Sequence, residues 1–243
     1  YITDGAQLSH ISNLGTTVQT AINTNVGNDS TWAELFDGTA AVAPWMSWGA
    51  KWSCMNNPNY HEAIKNSIKS GIDNGVVEIQ FDDWAGNYST LSWGGCFCDY
   101  CMDAFNVYLK ENYTAQELAE LGVSNVDTFN YKEYLTSEYG CTTTQEFLAV
   151  RSRVPLTPVF DEFQLQSTRD AHIMFKEYMN EYAGKDIAYS HNVFNFGSGF
   201  GDRGRIFCYD IFDGGMGESA KDSLALEAMV SSGYLSTGIN RPF

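Results

Sequence analysis

The stretch GGCFCDYC at 94–101 packs Cys96, Cys98 and Cys101 within six residues, and Cys54 stands 42 residues before Cys96 in WSCMNNPNY. Three thiols so close together cannot easily all bridge one another. Thiolates converging on one tetrahedral ion want such a short-spaced set plus a ligand from elsewhere. The spacing therefore favours a metal centre, with a disulfide pair plus free thiols as the alternative. Two loops far apart in sequence must then meet, which restricts the possible folds more than any other feature. Cys141 and Cys208 stand alone, and Cys208, in an apolar run, reads as a buried residue.

Around the cysteines, short apolar runs alternate with helical periodicities. Strands are predicted at 41–48 (AVAPWMSW), 76–82 (VVEIQFD), 187–193 (IAYSHNV), 206–212 (IFCYDIF) and 234–240 (YLSTGIN), each short and largely apolar, as buried parallel strands are. Helical spacing links Ala63, Ile64, Ile68 and Ile72, and again Met102, Phe105, Tyr108 and Leu109. Longer patterns cover 162–182 and 222–230, the latter started near Ser219 and ended by Gly233. Strand, helix, strand in this order implies a parallel sheet. At 243 residues, the α/β fold expected is a (β/α)8 TIM barrel, incomplete at the N-terminus because residues 1–39 add two strands at most to these five. An open doubly wound sheet is the alternative. No repeat or linker divides the chain, so 1–243 reads as one domain, and its start at Tyr1 in mid-domain sequence reads as a piece of a longer protein.

The balance of 14 basic against 30 acidic residues, a net charge of −16, disfavours nucleic acid and anionic membrane surfaces as partners. No apolar run approaches the ~20 residues of a membrane span, and nothing resembles a signal peptide. The ends of the predicted strands suggest a carbohydrate partner instead. They carry Trp45, Ser47 and Trp48; Asp82, Asp83 and Trp84; His191 and Asn192; and Asp213 to Glu218. In a barrel the chemistry sits at these carboxyl ends. Acids for glycosidic chemistry, amides for hydroxyls and flat rings for pyranose faces together equip a sugar site.

The run WSCMNNPNY, then a helix, then a strand ending in an acid, then GGCFCDYCMDAFNVYLKENY, resembles the family 42 β-galactosidases and related barrel glycosidases, and the resemblance extends more weakly from about 41 to 192. The resemblance implies glycoside hydrolysis and a structural Zn2+ held by Cys54, Cys96, Cys98 and Cys101. That family carries Asn-Glu at the end of its fourth strand, where this chain has Asp82-Asp83. The resemblance thus implies Asp83 as general acid/base, one methylene shorter than the family's Glu, with Asp82 orienting it or holding substrate. The family's nucleophilic Glu on the seventh strand has no counterpart in YLSTGINRPF.

A second carboxylate must then come from YDIFDGGMGES, which offers Asp210, Asp213 and Glu218. Glu218, following G-x-G, has an unobstructed backbone around it. Substrate contacts are expected from Trp84, Trp48, His191, Asn192 and Asp213, with Trp84 foremost because it adjoins the acids. The function expected is a glycoside hydrolase acting on an oligo- or polysaccharide through paired carboxylates, with the zinc near the active-site mouth. The alternative is a non-catalytic carbohydrate-binding or scaffold barrel. A metal-dependent hydrolase is disfavoured, since four thiolates leave zinc no position for water.

Overall fold

The computed structural model describes residues 2–3, 30–44, 51–82, 86–193, 207–208 and 210–217. Four parallel strands form its sheet in chain order: β1 (Ile2–Thr3), β2 (Glu78–Asp82), β3 (Ala188–Val193) and β4 (Gly214–Gly217). The helices are α1 (Pro58–Asp73), α2 (Gly86–Thr90), α3 (Asp99–Asn112), α4 (Ala115–Glu120), α5 (Tyr131–Tyr139), α6 (Thr144–Val150) and α7 (Thr157–Ala183). This overturns the expected (β/α)8 TIM barrel. Among the described residues the chain is mostly helical, with four short strands where a barrel needs eight.

The differences have local causes. The predicted strands at 76–82 and 187–193 form as β2 and β3. Residues 41–44 instead join a small antiparallel arrangement, with bridges Val42↔Lys51 and Glu34↔Ala40. The apolar run 206–212 is no strand where it is described: Phe207 and Cys208 are helical, and the strand falls on Gly214–Gly217 just beyond. The predicted elements at 222–230 and 234–240 lie outside the described residues.

Two apolar cores result. Ile79 and Phe81 of β2 and Tyr189 of β3 are buried against Ile64 and Ile68 of α1 and Phe175 and Met179 of α7. Phe81 stacks on Phe175 at 5.6 Å and meets Tyr189 edge-on at 5.5 Å. Each such side chain contributes roughly 1.5–3 kcal/mol of burial free energy. α1 starts cleanly because Pro58 follows Asn57, whose side chain accepts from the Asn59 N–H.

The second core surrounds the cysteines. Phe97 lies among Phe36, Phe147 and Phe160, at ring separations of 5.1, 4.9 and 5.2 Å. Trp52, fully buried, meets Trp93 edge-on at 5.2 Å. Buried positions recur along α7 every three or four residues. Phe160, Phe163 and Leu165 serve the cysteine core, and Ala171, Phe175 and Met179 the sheet core.

Candidate functional site

Cys54 lies on the loop entering α1, Cys96 and Cys98 on the loop entering α3, and Cys101 in the first turn of α3. Bridges Trp32↔Ser53 and Leu35↔Gly95 fold the 30–54 segment against that second loop. All four thiols are buried, and their sulfurs lie within 4.8 Å of one another. The contacts Cys54–Cys101, Cys96–Cys98 and Cys98–Cys54 measure 3.4, 3.5 and 3.5 Å. A disulfide needs about 2.0 Å, and all six cysteines are free thiols. Four sulfurs at ~2.3 Å from one tetrahedral ion would stand about 3.8 Å apart. The cluster thus has the dimensions to hold a metal ion.

Several N–H groups point at the sulfurs. N–H groups of Glu34 and Asn56 approach the sulfurs of Cys96 and Cys54 at 3.4 Å each. The Asn56 amide reaches Cys101 Sγ at 3.3 Å, and the Asn87 amide reaches Cys54 and Cys101 at 3.5 and 3.4 Å. Cys98 stands at the N-cap position of α3 without a side-chain capping bond, and Cys101 lies in its first turn, so the cluster sits at the helix's positive end. Burial raises the Cys54 and Cys96 thiols well above their ordinary value in the metal-free cluster. At Cys101 burial acts in the same sense but is outweighed by hydrogen bonds from Cys54, Cys96, Cys98 and Asn56, which hold it well below that value.

Two buried amides fix the cluster from behind. Asn87 accepts from the Met55 N–H at 2.8 Å and donates to Gln164 Oε1 at 2.9 Å. Gln164 of α7 donates in turn to the Cys96 carbonyl at 3.2 Å. Gly86 closes the arrangement: its carbonyl accepts from Trp52 Nε1 at 3.0 Å, its φ is +51°, and a Cβ there would stand 2.6 Å from the Met55 side chain. Spacing in sequence pointed to the four cysteines. It carried no signal for Asn87 or Gln164, which lie 77 residues apart.

Of the expected catalytic and sugar-binding residues, Asp82, His191 and Asn192 fall in the carboxyl-terminal halves of β2 and β3. In register, Thr3 aligns with Asp82, Phe81 with His191, and Val193 with Gly217. The strands therefore present Asp82, Asn192 and Gly217 at one edge. Asp83, Trp84, Glu218 and Trp48 lie outside the described residues. Alternation in β2 puts Ile79 and Phe81 on the helix face and Glu78 and Gln80 on the other. Position 191 is the register partner of Phe81. On the polar face Ser190 donates to Glu78 at 2.8 Å, while the buried Gln80 Nε2 has no partner among the described residues, a feature without a sequence signal.

Asp213 is not brought to that edge. It precedes β4, level with Tyr189 at the opposite end of β3. Its N–H donates to the Tyr189 carbonyl at 2.7 Å, its carboxylate accepts from the Tyr189 N–H at 3.0 Å, and Lys176 pairs with it at 3.0 Å. The strand starts after Asp213 rather than ending before it, which reverses the expected placement. Asp210 likewise pairs with Arg169 at 2.6 Å.

Two alpha-agarases are similar to part of the chain. That of Thalassotalea agarivorans is 26% identical over 96 residues, covering 38% of this chain and 6% of the relative. That of Alteromonas agarilytica is 24% identical over 96 residues, covering 38% and 7%. The matched segment thus spans under a tenth of either relative. No family model matches the chain, and no solved structure matches it. The comparisons therefore lend the family 42 β-galactosidase resemblance no support, and the similarity that stands, distant and partial, is to enzymes named for a polysaccharide.

Proposed function

We propose that the chain is part of a glycoside hydrolase acting on a galactan of the agar type. The similarity to alpha-agarases carries this reading. The gathering of strand ends bearing Asp82 and Asn192 at one edge of a parallel sheet supports it, because ligands of parallel sheets bind outside the carboxyl ends of the strands. In this reading Asp83 protonates the leaving oxygen, Asp82 orients it, and Glu218 is the second carboxylate. Trp84, Trp48, His191 and Asn192 hold the sugar. The separation of the two acids decides between direct attack by water and a glycosyl-enzyme intermediate.

The four thiols hold Zn2+ in the same reading, for which an all-sulfur tetrahedral set is well suited. When bound it supplies a closed cross-link between the loops entering α1 and α3, and the carboxylates carry the chemistry. The test is turnover of agar oligosaccharides by the full-length protein. Asp83→Asn should abolish it while leaving the circular dichroism spectrum intact, and undiminished cleavage by that variant would remove Asp83 from the role. If the intact protein binds these sugars and never cleaves them, the chain is a binding domain instead.

A further inference from the structure

Beside the metal cluster, α1, α3 and α7 enclose a groove of about 660 Å3, within the range of ligand sites. Val107, Tyr108 and Glu111 of α3 form one wall, and Glu162, Ser167 and Asp170 of α7 the other. We propose that this groove is a second binding site for the polysaccharide, taking a short run of uncharged sugar rings and rejecting sulfated or uronate-bearing chains. The proposal rests on the carbohydrate reading above but needs none of the catalytic assignments.

Three observations support it. The walls combine what pyranose rings require. Val107 is 52% exposed although apolar, and beside it Tyr108 packs on Phe163 at 5.7 Å, so a flat apolar surface faces a row of polar groups. Ser167 is 92% buried, yet its hydroxyl makes no hydrogen bond to a described residue, while Asp170 is held in place by Gln166 at 2.7 Å. The Ser167 hydroxyl and the oriented Asp170 carboxylate can exchange hydrogen bonds with sugar hydroxyls.

Charge then sets the specificity. Three carboxylates border the groove, no lysine or arginine among the described residues lines it, and burial lowers the His61 imidazole below its ordinary value, so His61 adds no positive charge at neutral pH. On a chain of net charge −16, an anionic glycan entering here meets like charge from both α3 and α7. Finally, Asn56 lines the groove and donates to Cys101 Sγ at 3.3 Å, so the metal-bound loop fixes one end of the site in advance. A lysine-rich peptide is the rival occupant. The carboxylates would suit it, but the apolar wall and the Ser167 hydroxyl match a hydroxylated ring better than an ammonium group.

Titration calorimetry on the full-length protein carrying Asp83→Asn, which keeps the ligand intact, distinguishes these. The probes are neutral agar oligosaccharides, sulfated galactan oligosaccharides of equal length, and a lysine decamer. The neutral sugar should bind at two sites per chain, and Val107→Arg, which fills the groove from an exposed position, should weaken one of them at least tenfold and leave the other unchanged. Ser167→Ala should weaken that same site about threefold, and the sulfated chain should bind there at least tenfold less well. Absent binding of the neutral sugar, insensitivity to Val107→Arg, equal binding of the sulfated chain, or a decamer that alone responds to Val107→Arg would each overturn the proposal. If groove-dependent binding persists in a protein that never cleaves agar oligosaccharides, only the hydrolytic reading falls. If cleavage occurs and Val107→Arg changes no affinity, only the groove does.

Discussion

The core beneath the sheet and the core around the cysteines are both rich in phenylalanine, but they are closed by different means. Under the sheet, regular elements do the closing: α1 and α7 lie over β2 and β3, and ladder hydrogen bonds fix the backbone independently of any one side chain. Around the cysteines the backbone is irregular, built from bridges, a 3-10 turn at Leu91–Trp93 and short helices. There the alignment depends on four sulfurs and two amides. A core of the second kind tolerates less, because each polar member left without its partner stays buried.

The sharpest way to break this comparison is to remove the metal. Purified protein should carry about one zinc per chain, and Cys98→Ser or a strong chelator should abolish cooperative melting of the cysteine core, since structural zinc contributes on the order of 10–16 kcal/mol in zinc-finger peptides. Melting curves unchanged at zero zinc content would refute the clamp.

Next come paired truncations. Phe97→Ala and Phe175→Ala should each cost about 3–5 kcal/mol in urea unfolding. Only Phe97→Ala, however, should also weaken zinc retention in a chelator competition, and equal effects on retention would merge the two cores into one.

Asn87→Ala should cost roughly 1–3 kcal/mol, because it strands the Gln164 carbonyl and the Met55 N–H in the interior. A smaller loss, about 1 kcal/mol, is expected for Thr143→Ala at the α6 capping box. Its partner Glu146 gives that cap a pH signature. Hydrogen bonds from the Thr142 N–H and hydroxyl, and then from Thr143, hold its carboxyl down to about 2 from 4.5. The stabilisation is therefore complete above pH 4.5 and disappears as pH falls toward 2. The difference in urea midpoint between wild type and Glu146→Gln should shrink over that interval, whereas a difference constant with pH would place the effect elsewhere.

Where the pattern was long or chemically unusual, the sequence was readable. The cysteine spacing located the cluster, and apolar periodicity located α1, α3, α7, β2 and β3. Between α3 and α7 it located nothing, because helices of six to nine residues hold too few turns for a periodic face to emerge. The signals present there were the capping boxes Thr114-x-x-Glu117 and Thr143-x-x-Glu146. Residues 206–212 misled for a different reason. Cys208, Ile211 and Phe212 join the core beneath the sheet, with Lys176 donating to the Ile211 carbonyl at 2.6 Å, while β4 forms from Gly-Gly-Met-Gly, which has no alternation to detect. That shift of one element carried Asp213 to the wrong end of the sheet. The amide hub escaped notice because hydrogen bonds between distant residues leave no mark on spacing.

α7 runs for 27 residues with its first half in one core and its second half in the other. Along this single helix, hydrogen exchange becomes a map of mechanical coupling. If the two cores open separately, amides near Phe160 will exchange faster than those near Phe175 once a chelator has stripped the cysteine cluster of any bound ion, and protection will step down within one continuous rod. If the rod transmits the loss, both ends will exchange together, and affinity for the ion will then depend reciprocally on how firmly the sheet is folded.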